Sequence, residues 1–137
     1  MASYQAKLSH LRIAPRKVRL VADLVRGMNL HTARHNLQFS TKRASVPILK
    51  LLDSAASNAK DIKEDVNEDS LVIREIFVNE GPKLKRFRPV SRGMSHAIEK
   101  KTSHITIVLV EQEKSANRKS PIANSKIKTV KPKVEKS

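Results

Sequence analysis

The sequence contains no cysteine and no tryptophan, and only 3% of its 137 residues are aromatic. Without cysteine the chain can form no disulfide bond, and it can supply no thiolate ligand or cysteine nucleophile. Base-stacking surfaces of nucleic-acid-binding proteins use several clustered aromatic rings. We therefore do not expect stacking to be the main way in which this chain binds a partner.

Long apolar runs are missing as well. No segment approaches the ~18–20 apolar residues that a membrane-spanning helix needs. The first residues, MASYQAKLSHLRIAPRK, lack the continuous apolar centre of a secretory signal. These absences predict a soluble protein of the cytoplasm or an organelle matrix, with no membrane partner.

Positive charge, by contrast, is abundant and unevenly distributed. The chain has 28 lysine and arginine residues against 13 aspartate and glutamate residues, a net charge of +15. Residues 83–101 hold seven basic residues and one acidic residue, and residues 114–137 hold eight and one, whereas the first 82 residues carry thirteen and nine. A protein with such basic blocks repels itself unless a polyanion neutralises them, which indicates a nucleic acid as partner.

The segment IAPRKVRLVADLVRG (13–27) has the periodicity of an amphipathic helix of roughly three turns. Pro15 suits the first helical position, where its missing N–H costs nothing, and Gly27 suits the position just after the last helical residue. The residues predicted to form the buried face are Val18, Val21, Ala22 and Val25, with Leu20 and Leu24 widening it.

Two further helices are predicted in the first half of the chain. Residues 32–39 form the shorter one, with Phe39 among the side chains expected to face the core. The longer one covers about residues 45–61, where apolar residues repeat every three to four positions. Ser45 is expected to cap this helix, because that places Pro47 in the first turn, where proline is tolerated.

Three segments have the character of β-strands. Residues 71–78 and 104–110 are rich in β-branched and apolar residues, and residues 4–11 alternate weakly between apolar and polar positions. The 26 residues from 79 to 104 are too many for a structureless loop in a small domain. We therefore predict that the two stronger strands continue towards each other as one antiparallel hairpin.

The register of this hairpin follows from its turn. If Val78 pairs with Ile105, the turn falls between Ser91 and Arg92, next to Gly93, a residue that tight turns favour. Each strand would then have ~16 residues and a length of ~50 Å, against a radius of gyration of ~12 Å for the body. A two-stranded ribbon is only marginally stable alone in water. A basic ribbon of this length is therefore expected to lie inside a folded polyanion, and structured RNA fits that description.

Three stretches of the sequence resemble a known family. GPKLKRFRPVSRGMSHAIEKKTSHITIVL (81–109) is similar to the signature of the universal large-subunit ribosomal protein family L twenty-two, in its bacterial or organellar form. IAPRKVRLVADLVRG (13–27) resembles the first helix of that family, and SAASNAK (54–60) resembles part of its third helix. The resemblance extends over about residues 4–110.

The resemblance implies a fold and a domain organisation. It implies an α+β fold, in which three helices pack on a small three-stranded antiparallel sheet and one long β-hairpin protrudes. A single domain would cover residues 1–113, with the hairpin at about 71–110 and its tip near 88–94. Residues 114–137 lie outside the resemblance and are expected to form a basic, disordered tail, a composition that would also suit an anionic membrane surface.

The resemblance also implies a function. A member of this family is a structural constituent of the large ribosomal subunit, so the chain would bind several domains of the large-subunit ribosomal RNA and assist early subunit assembly. The hairpin would line the wall of the nascent-polypeptide exit tunnel, with its tip near the constriction, large-subunit protein L four and the passing nascent peptide. No enzymatic activity, cofactor or metal ion is implied. The expected location is the ribosome of the cytoplasm or of an organelle.

The contact residues of the family can be carried over by position. Those implied to bind ribosomal RNA are Arg12, Arg16, Lys17, Arg19, Lys83, Lys85, Arg86, Arg88, Arg92, Lys100, Lys101, Thr102, Ser103 and His104. Those implied to form the tunnel-lining tip are Arg88, Pro89, Val90, Ser91, Arg92, Gly93 and Met94. Glu99 departs from the family pattern, because arginine is common at that position. Further basic residues are also common where Val90, Ser91 and Met94 stand.

A DNA-binding protein is one alternative that the residues leave open. The first helix, Gly27 and the second helix could form a helix-turn-helix. The candidate base-reading residues would be Arg34, His35, Asn36 and Gln38. The basic hairpin would then have to grip a minor groove as an architectural arm.

An enzyme or a metal protein is the other alternative. His31 and His35 are spaced i, i+4, as metal ligands on a helix can be, but no third ligand is evident in the sequence. His104 beside Ser103 could take part in acid–base chemistry, although no carboxylate cluster or glycine-rich loop accompanies it. Neither histidine pattern explains the basic hairpin as well as RNA binding does.

Overall fold

The computed structural model describes residues 3–63 and 66–112. Within these ranges the α-helices are α1 (Pro15–Val25), α2 (Leu30–Phe39) and α3 (Ser45–Ile62). The strands are β1 (Ser3–Leu11), β2 (Leu71–Glu80), β3 (Leu84–Pro89), β4 (Ser95–Lys100) and β5 (Ser103–Glu111). The predicted α+β class and the three helices are confirmed. The predicted tail at 114–137 lies outside the described residues.

The five strands of the described ranges form two antiparallel sheets. β1, β5 and β2 form a three-stranded sheet in that order, and β3 and β4 form a separate two-stranded sheet. The prediction of a three-stranded sheet that carries one uninterrupted hairpin is therefore only partly met. We call β3, β4 and the tip between them (residues 84–100) the arm.

The pairing of β2 with β5 follows the predicted register. Val78 lies opposite Ile105. In the arm, however, the register is offset by one residue, so that Arg88 lies opposite His96. The offset moves the centre of the turn by half a residue, onto Arg92.

A break between the two ladders causes this offset. Three residues (81–83) lie opposite two (101–102), as in a β-bulge. The Gly81 N–H still donates to the Thr102 carbonyl oxygen at 2.9 Å, but Pro82 has no N–H with which to extend the ladder. The extra residue opposite Lys101 and Thr102, at Pro82, thus coincides with the change from one ladder to the next where a single hairpin was predicted.

The core lies between the helices and one face of the three-stranded sheet, where alternate residues of β1 and β5 are buried. The predicted stripe of α1 is buried, namely Val18, Val21, Ala22 and Val25. Leu20 and Leu24, however, are 70% and 45% exposed. They lie roughly opposite the stripe on a helix of 3.6 residues per turn, so the prediction that they widen the buried face is wrong.

Two further side chains differ from the prediction. Phe39, the last residue of α2, is 79% exposed, because Leu37 faces the core and a helix turns a residue two positions later away from it. Ser45 is the first residue of α3 and is fully buried, while Ala44 occupies the cap position without a side-chain hydrogen bond. Within the described residues the Ser45 hydroxyl has no hydrogen-bond partner. The predicted serine cap is therefore wrong.

Both edge strands of the three-stranded sheet are covered by side chains from the helices. On β1, the Asn58 side-chain amide donates to the Gln5 carbonyl oxygen at 3.0 Å. On β2, the Arg19 guanidinium donates to the Val78 carbonyl oxygen at 3.3 Å, and Arg26 donates to the same strand at 3.2 Å. These bonds satisfy backbone acceptors that an edge strand would otherwise offer to another chain.

Candidate nucleic-acid interface

The arm has no buried surface of its own. Residues 79–101 contain no buried residue. Leu84, Arg86 and Arg88 lie on one face of β3, since alternate residues of a strand point to opposite sides, and Lys100 lies opposite Leu84 on β4. One face of the arm is therefore basic along its length.

This basic face lies across a groove from the body of the protein. One cavity of the groove has a volume of about 560 Å³. Its lining residues are Arg12, Ala14, Arg43, Leu84, Arg86, Glu99, Lys100, Lys101 and Thr102. A second cavity of about 410 Å³ shares Arg12 and Arg43 with the first and adds Lys17 and Lys42. We call the two cavities together the basic groove.

The basic groove combines predicted and unpredicted residues. Six of the residues implied to bind RNA line it, namely Arg12, Lys17, Arg86, Lys100, Lys101 and Thr102. Lys42 and Arg43, in the loop between α2 and α3, were missed. The basic pair in TKRAS (41–45) could have indicated them. The first 82 residues taken together, however, are nearly balanced in charge, and this hides the pair. The groove thus places cations of the body and of the arm around one space.

The remaining exposed residues of the predicted set lie outside this groove. Lys85, Arg88 and Arg92 are exposed on the arm, and Arg16 is exposed on α1. Arg19 is exposed too, but its guanidinium is hydrogen-bonded to β2. Among these, Arg19 has the clearest structural role, because its bond covers the edge of the sheet.

Thr102 and Ser103 have a different environment from the other predicted contact residues. Their exposed fractions are 4% and 0%. The Thr102 hydroxyl donates to the Pro82 carbonyl oxygen at 2.7 Å, and the Ser103 hydroxyl donates to the Ile13 carbonyl oxygen at 2.9 Å. The first bond joins the two chain segments at the base of the arm, and the second ties that base to the segment before α1. The structure therefore gives both side chains a positioning role at the break between the ladders.

His104 is held by the neighbouring edge strand. Its Nδ1 accepts a hydrogen bond from the His10 backbone N–H at 3.1 Å, and the two rings meet edge to face with centroids 4.8 Å apart. His10 has a left-handed backbone (φ 57°) at the irregularity between Leu8 and Leu11. The irregularity turns the N–H of His10 towards His104 and fixes the orientation of its ring.

One cation at the base of the arm has an anionic neighbour within the protein. The Lys83 ammonium lies 3.0 Å from the Glu99 carboxylate, and both side chains are nearly half exposed. The hydrogen bond between them raises the pKa of Lys83 and lowers the pKa of Glu99, and the attraction of the charges adds to both shifts. Glu99 therefore reduces the positive charge that Lys83 offers to a bound polyanion.

The tip of the arm closes on Arg92 and Gly93. Both have left-handed backbones, with φ of 61° and 69°. The Val90 N–H donates to the Met94 carbonyl oxygen at 2.9 Å and ends the ladder. Met94 is 65% exposed, so the tip presents an apolar side chain among polar ones.

The structure gives little support to the alternatives of a DNA-binding protein or a metal protein. Arg34, a candidate base-reading residue, forms ion pairs with Asp53 at 2.8 Å and Glu68 at 2.6 Å. Across residues 3–63 and 66–112, no three histidine or acidic side chains gather closely enough to hold a metal ion. No helix in the same ranges is long and apolar enough to cross a membrane.

Comparison with known proteins gives one consistent result. A family model described as "Ribosomal protein L22p/L17e" matches residues 6–110. The chain is 46% identical over 113 residues to a Desulfitobacterium hafniense protein named "Large ribosomal subunit protein uL22", with 82% of this chain and 98% of the relative covered. Proteins of the same name from Staphylococcus aureus and Macrococcus caseolyticus are 51% and 52% identical over 106 and 103 residues. These two alignments cover 77% and 75% of this chain and 90% and 82% of the relatives.

Proposed function

The chain belongs to the ribosomal protein L22p/L17e family and is thus a structural, non-enzymatic constituent of the large ribosomal subunit; from this premise we propose that it binds large-subunit ribosomal RNA through the basic groove and the arm. The observation that carries this proposal is the arrangement of cations on both walls of the groove. Arg12 and Arg43 lie on the body side, and Arg86, Lys100 and Lys101 lie on the arm side. An RNA strand in the groove would meet both sets at once.

The exposure of the arm supports the same proposal. A two-stranded ribbon without a core is marginal in water, and no residue from 79 to 101 is buried. Phosphates on both faces would neutralise the charge and replace the missing packing. We propose that the arm, together with the ends of β2 and β5, acts as one projecting hairpin that the folded RNA surrounds.

The finer assignments are part of this proposal. The arm would reach the wall of the nascent-polypeptide exit tunnel, with residues 88–94 at the constriction beside large-subunit protein L four. Arg88 and Arg92 would contact phosphates there, while Val90 and Met94 would face the passing nascent peptide. Binding to several RNA domains would make the chain useful early in subunit assembly.

The proposed RNA binding can be tested by its salt dependence. With ~6 phosphate contacts, the logarithm of the affinity for large-subunit ribosomal RNA should fall with the logarithm of salt concentration with a slope of about −4 to −5. Replacing Arg12 and Arg43 together by glutamine should make that slope shallower by about 1.4–1.8. Lys50→Gln, on the exposed side of α3, is the matched control and should change it far less. A slope near zero for the unaltered chain would overturn the proposal.

The proposed role of the tip requires a different experiment. Deleting residues 88–94 should leave incorporation of the chain into the large subunit intact, since the basic groove lies outside the deleted segment. It should alter the behaviour of the tunnel, measured as stalling of nascent chains or as the response to drugs that bind in the tunnel. Complete loss of incorporation would contradict this division between groove and tip.

A further inference from the structure

One exposed face of α2 carries a row of rings that RNA binding by the groove does not use. His31, His35 and Phe39 are spaced i, i+4 and i+8, so they lie above one another on the helix. The His31 and His35 ring centroids are 4.7 Å apart at an angle of 61°. The His35 and Phe39 rings are nearly parallel, at 9° with centroids 6.3 Å apart. We call these three side chains the ring row.

The outer end of the ring row is open to solvent. Phe39 is 79% exposed, the highest value among the large apolar side chains of the described residues. Because His35 lies parallel to it on one side, the Phe39 ring is already oriented before any partner binds. A planar partner could stack on the other face without a large loss of side-chain entropy.

The segment of chain that contains the ring row is basic in sequence, although Arg34 on α2 is paired with Asp53 and Glu68. From residue 24 to residue 52 the sequence contains no acidic residue, and its basic residues are Arg26, Arg34, Lys42, Arg43 and Lys50. Phe39 and Lys42 are three residues apart, so their Cα atoms are separated by at most ~11 Å. Lys42 and Arg43 also line the basic groove. The ring row therefore ends three residues before the first of the two cations that line the groove.

We propose that Phe39, supported by His35, is a stacking site for an unpaired nucleobase of RNA, whose neighbouring phosphates are bound by Lys42 and Arg43 in the basic groove. This inference rests on the proposed RNA-binding function and adds a contact that is not ionic. Bases that are not paired in RNA stack on phenylalanine and histidine rings. Stacking of this kind tolerates any base, because every base presents a π face.

An apolar protein segment fits this face less well. Binding surfaces for protein segments place clustered aromatic and aliphatic anchors in a desolvated centre. Here the other two side chains of the row are histidines with polar ring nitrogens, and the charged residues that follow Phe39 in sequence, Lys42 and Arg43, are both basic. A nucleotide fits better, because its base can stack on the rings while its phosphates bind the basic residues.

The lack of tryptophan in the chain allows a direct test. Phe39→Trp introduces a single indole at the site. On addition of deproteinised large-subunit ribosomal RNA, the emission of that indole should be quenched, and the affinity should match or exceed that of the unaltered chain. Phe39→Leu keeps an apolar side chain without a π system, and it should lower the affinity by about 5- to 150-fold. Its salt slope should stay unchanged, because no cation is lost.

Phe77 provides the matched control, since it is a half-exposed phenylalanine on β2 that does not line the groove. Phe77→Leu should leave the affinity unchanged, and Phe77→Trp should show no comparable quenching. The stacking site is overturned if Phe39→Leu binds as tightly as the unaltered chain, or if the indole at position 39 stays unquenched while the RNA is bound. An equal loss of affinity for Phe77→Leu would also overturn it. Failure of the unaltered chain to bind the RNA would instead overturn the proposed function.

Discussion

The Thr102 hydroxyl donates a 2.7 Å hydrogen bond to the Pro82 carbonyl oxygen, across the point where the pairing of the two ladders breaks. Thr102 is 4% exposed, so this bond is shielded from water. Its backbone carbonyl oxygen also accepts the Gly81 N–H at 2.9 Å. One residue therefore holds the first two residues, Gly81 and Pro82, of the three-residue segment that leads into the arm.

The first prediction concerns the direction of the arm. Thr102→Val keeps the shape and the β-branching of the side chain but removes the donor, and it leaves the Pro82 carbonyl oxygen without this partner. We expect unfolding to require about 1 kcal/mol less free energy and the arm to sample a wider range of angles. Because the chain has no cysteine, spin labels at Lys50→Cys and His96→Cys can report the body-to-arm distance distribution.

Thr106→Val is the control for this prediction, since Thr106 lies within β5, away from the break. The distribution should broaden for Thr102→Val and keep its width for Thr106→Val. An unchanged width for Thr102→Val would show that the backbone alone fixes the arm.

The second prediction concerns the space around Gly81. A Cβ atom at this position would lie 2.5 Å from the Thr102 Oγ1 and 3.3 Å from the Thr102 carbonyl carbon. Gly81→Ala should therefore lower the free energy of unfolding by about 1–3 kcal/mol, as overpacking does, measured by denaturant titration. Gly93→Ala separates sterics from backbone strain, because Gly93 has a left-handed backbone but no neighbour within 4 Å of its Cβ position. Gly93→Ala should lower the free energy of unfolding by about 1 kcal/mol and leave the base of the arm unchanged.

The third prediction concerns the ion pair of Lys83 and Glu99. Glu99→Gln removes the carboxylate that competes with phosphate for Lys83. If the arm binds RNA, the affinity should rise, and the salt slope should become steeper by about 0.7–0.9, the value of one additional phosphate contact. Glu75→Gln, on β2 beside Arg74, is the control. A slope that is the same for Glu99→Gln and the unaltered chain would show that Lys83 does not contact phosphate.

The fourth prediction concerns pH and a cluster that joins α2, α3 and the turn before β2. Glu68 accepts hydrogen bonds from Lys60 at 2.5 Å and Arg34 at 2.6 Å, and these two bonds lower the pKa of Glu68. For Arg34, burial opposes the charge, but the bonds to Glu68 and Asp53 outweigh it and raise the pKa.

A carboxylate whose pKa is lower in the folded state stabilises the fold above its unfolded pKa, and that contribution is lost as the pH falls through the folded pKa. Glu68→Gln should therefore lower the free energy of unfolding at neutral pH by on the order of 1 kcal/mol or less, and it should flatten the decline towards acid pH. Asp69→Asn, which removes the adjacent charge, should leave that decline largely unchanged. Chemical denaturation at several pH values between neutral and acid measures the free energy of unfolding of both variants.

The sequence alone predicted the elements of this fold well, and it predicted their exposed surfaces poorly. The stripe at Val18, Val21 and Val25 identified α1, and the pairing of Val78 with Ile105 was correct. Leu20, Leu24 and Phe39 were placed in the core, although they are exposed. Each of them is apolar and close in sequence to a buried residue, but the 3.6-residue turn of the helix directs its side chain away from the core.

The candidate interface was predictable in its charge and not in its geometry. The basic block at 83–101 was evident from composition, because charge is a property of single residues. That Arg43 and Arg86 line one cavity depends on the loop between α2 and α3 lying close to β3, and no local sequence pattern encodes this proximity. The resemblance places Thr102 and Ser103 among RNA contacts, and this stays a prediction. The structure adds that both side chains are buried, with Thr102 bonded to Pro82 and Ser103 bonded to Ile13.

What the sequence determined by itself is therefore the three helices, the strand character of residues 4–11, 71–78 and 104–110, the pairing of Val78 with Ile105 and the sign of the charge. These follow from periodicity, from the reach of an antiparallel hairpin and from side-chain chemistry, all of which act over short separations along the chain. The tertiary structure alone decided which cations share a groove, which predicted contacts are buried, and where the hairpin breaks into two ladders. Those properties arise where segments distant in sequence meet, at the junction of Gly81, Thr102 and the segment before α1.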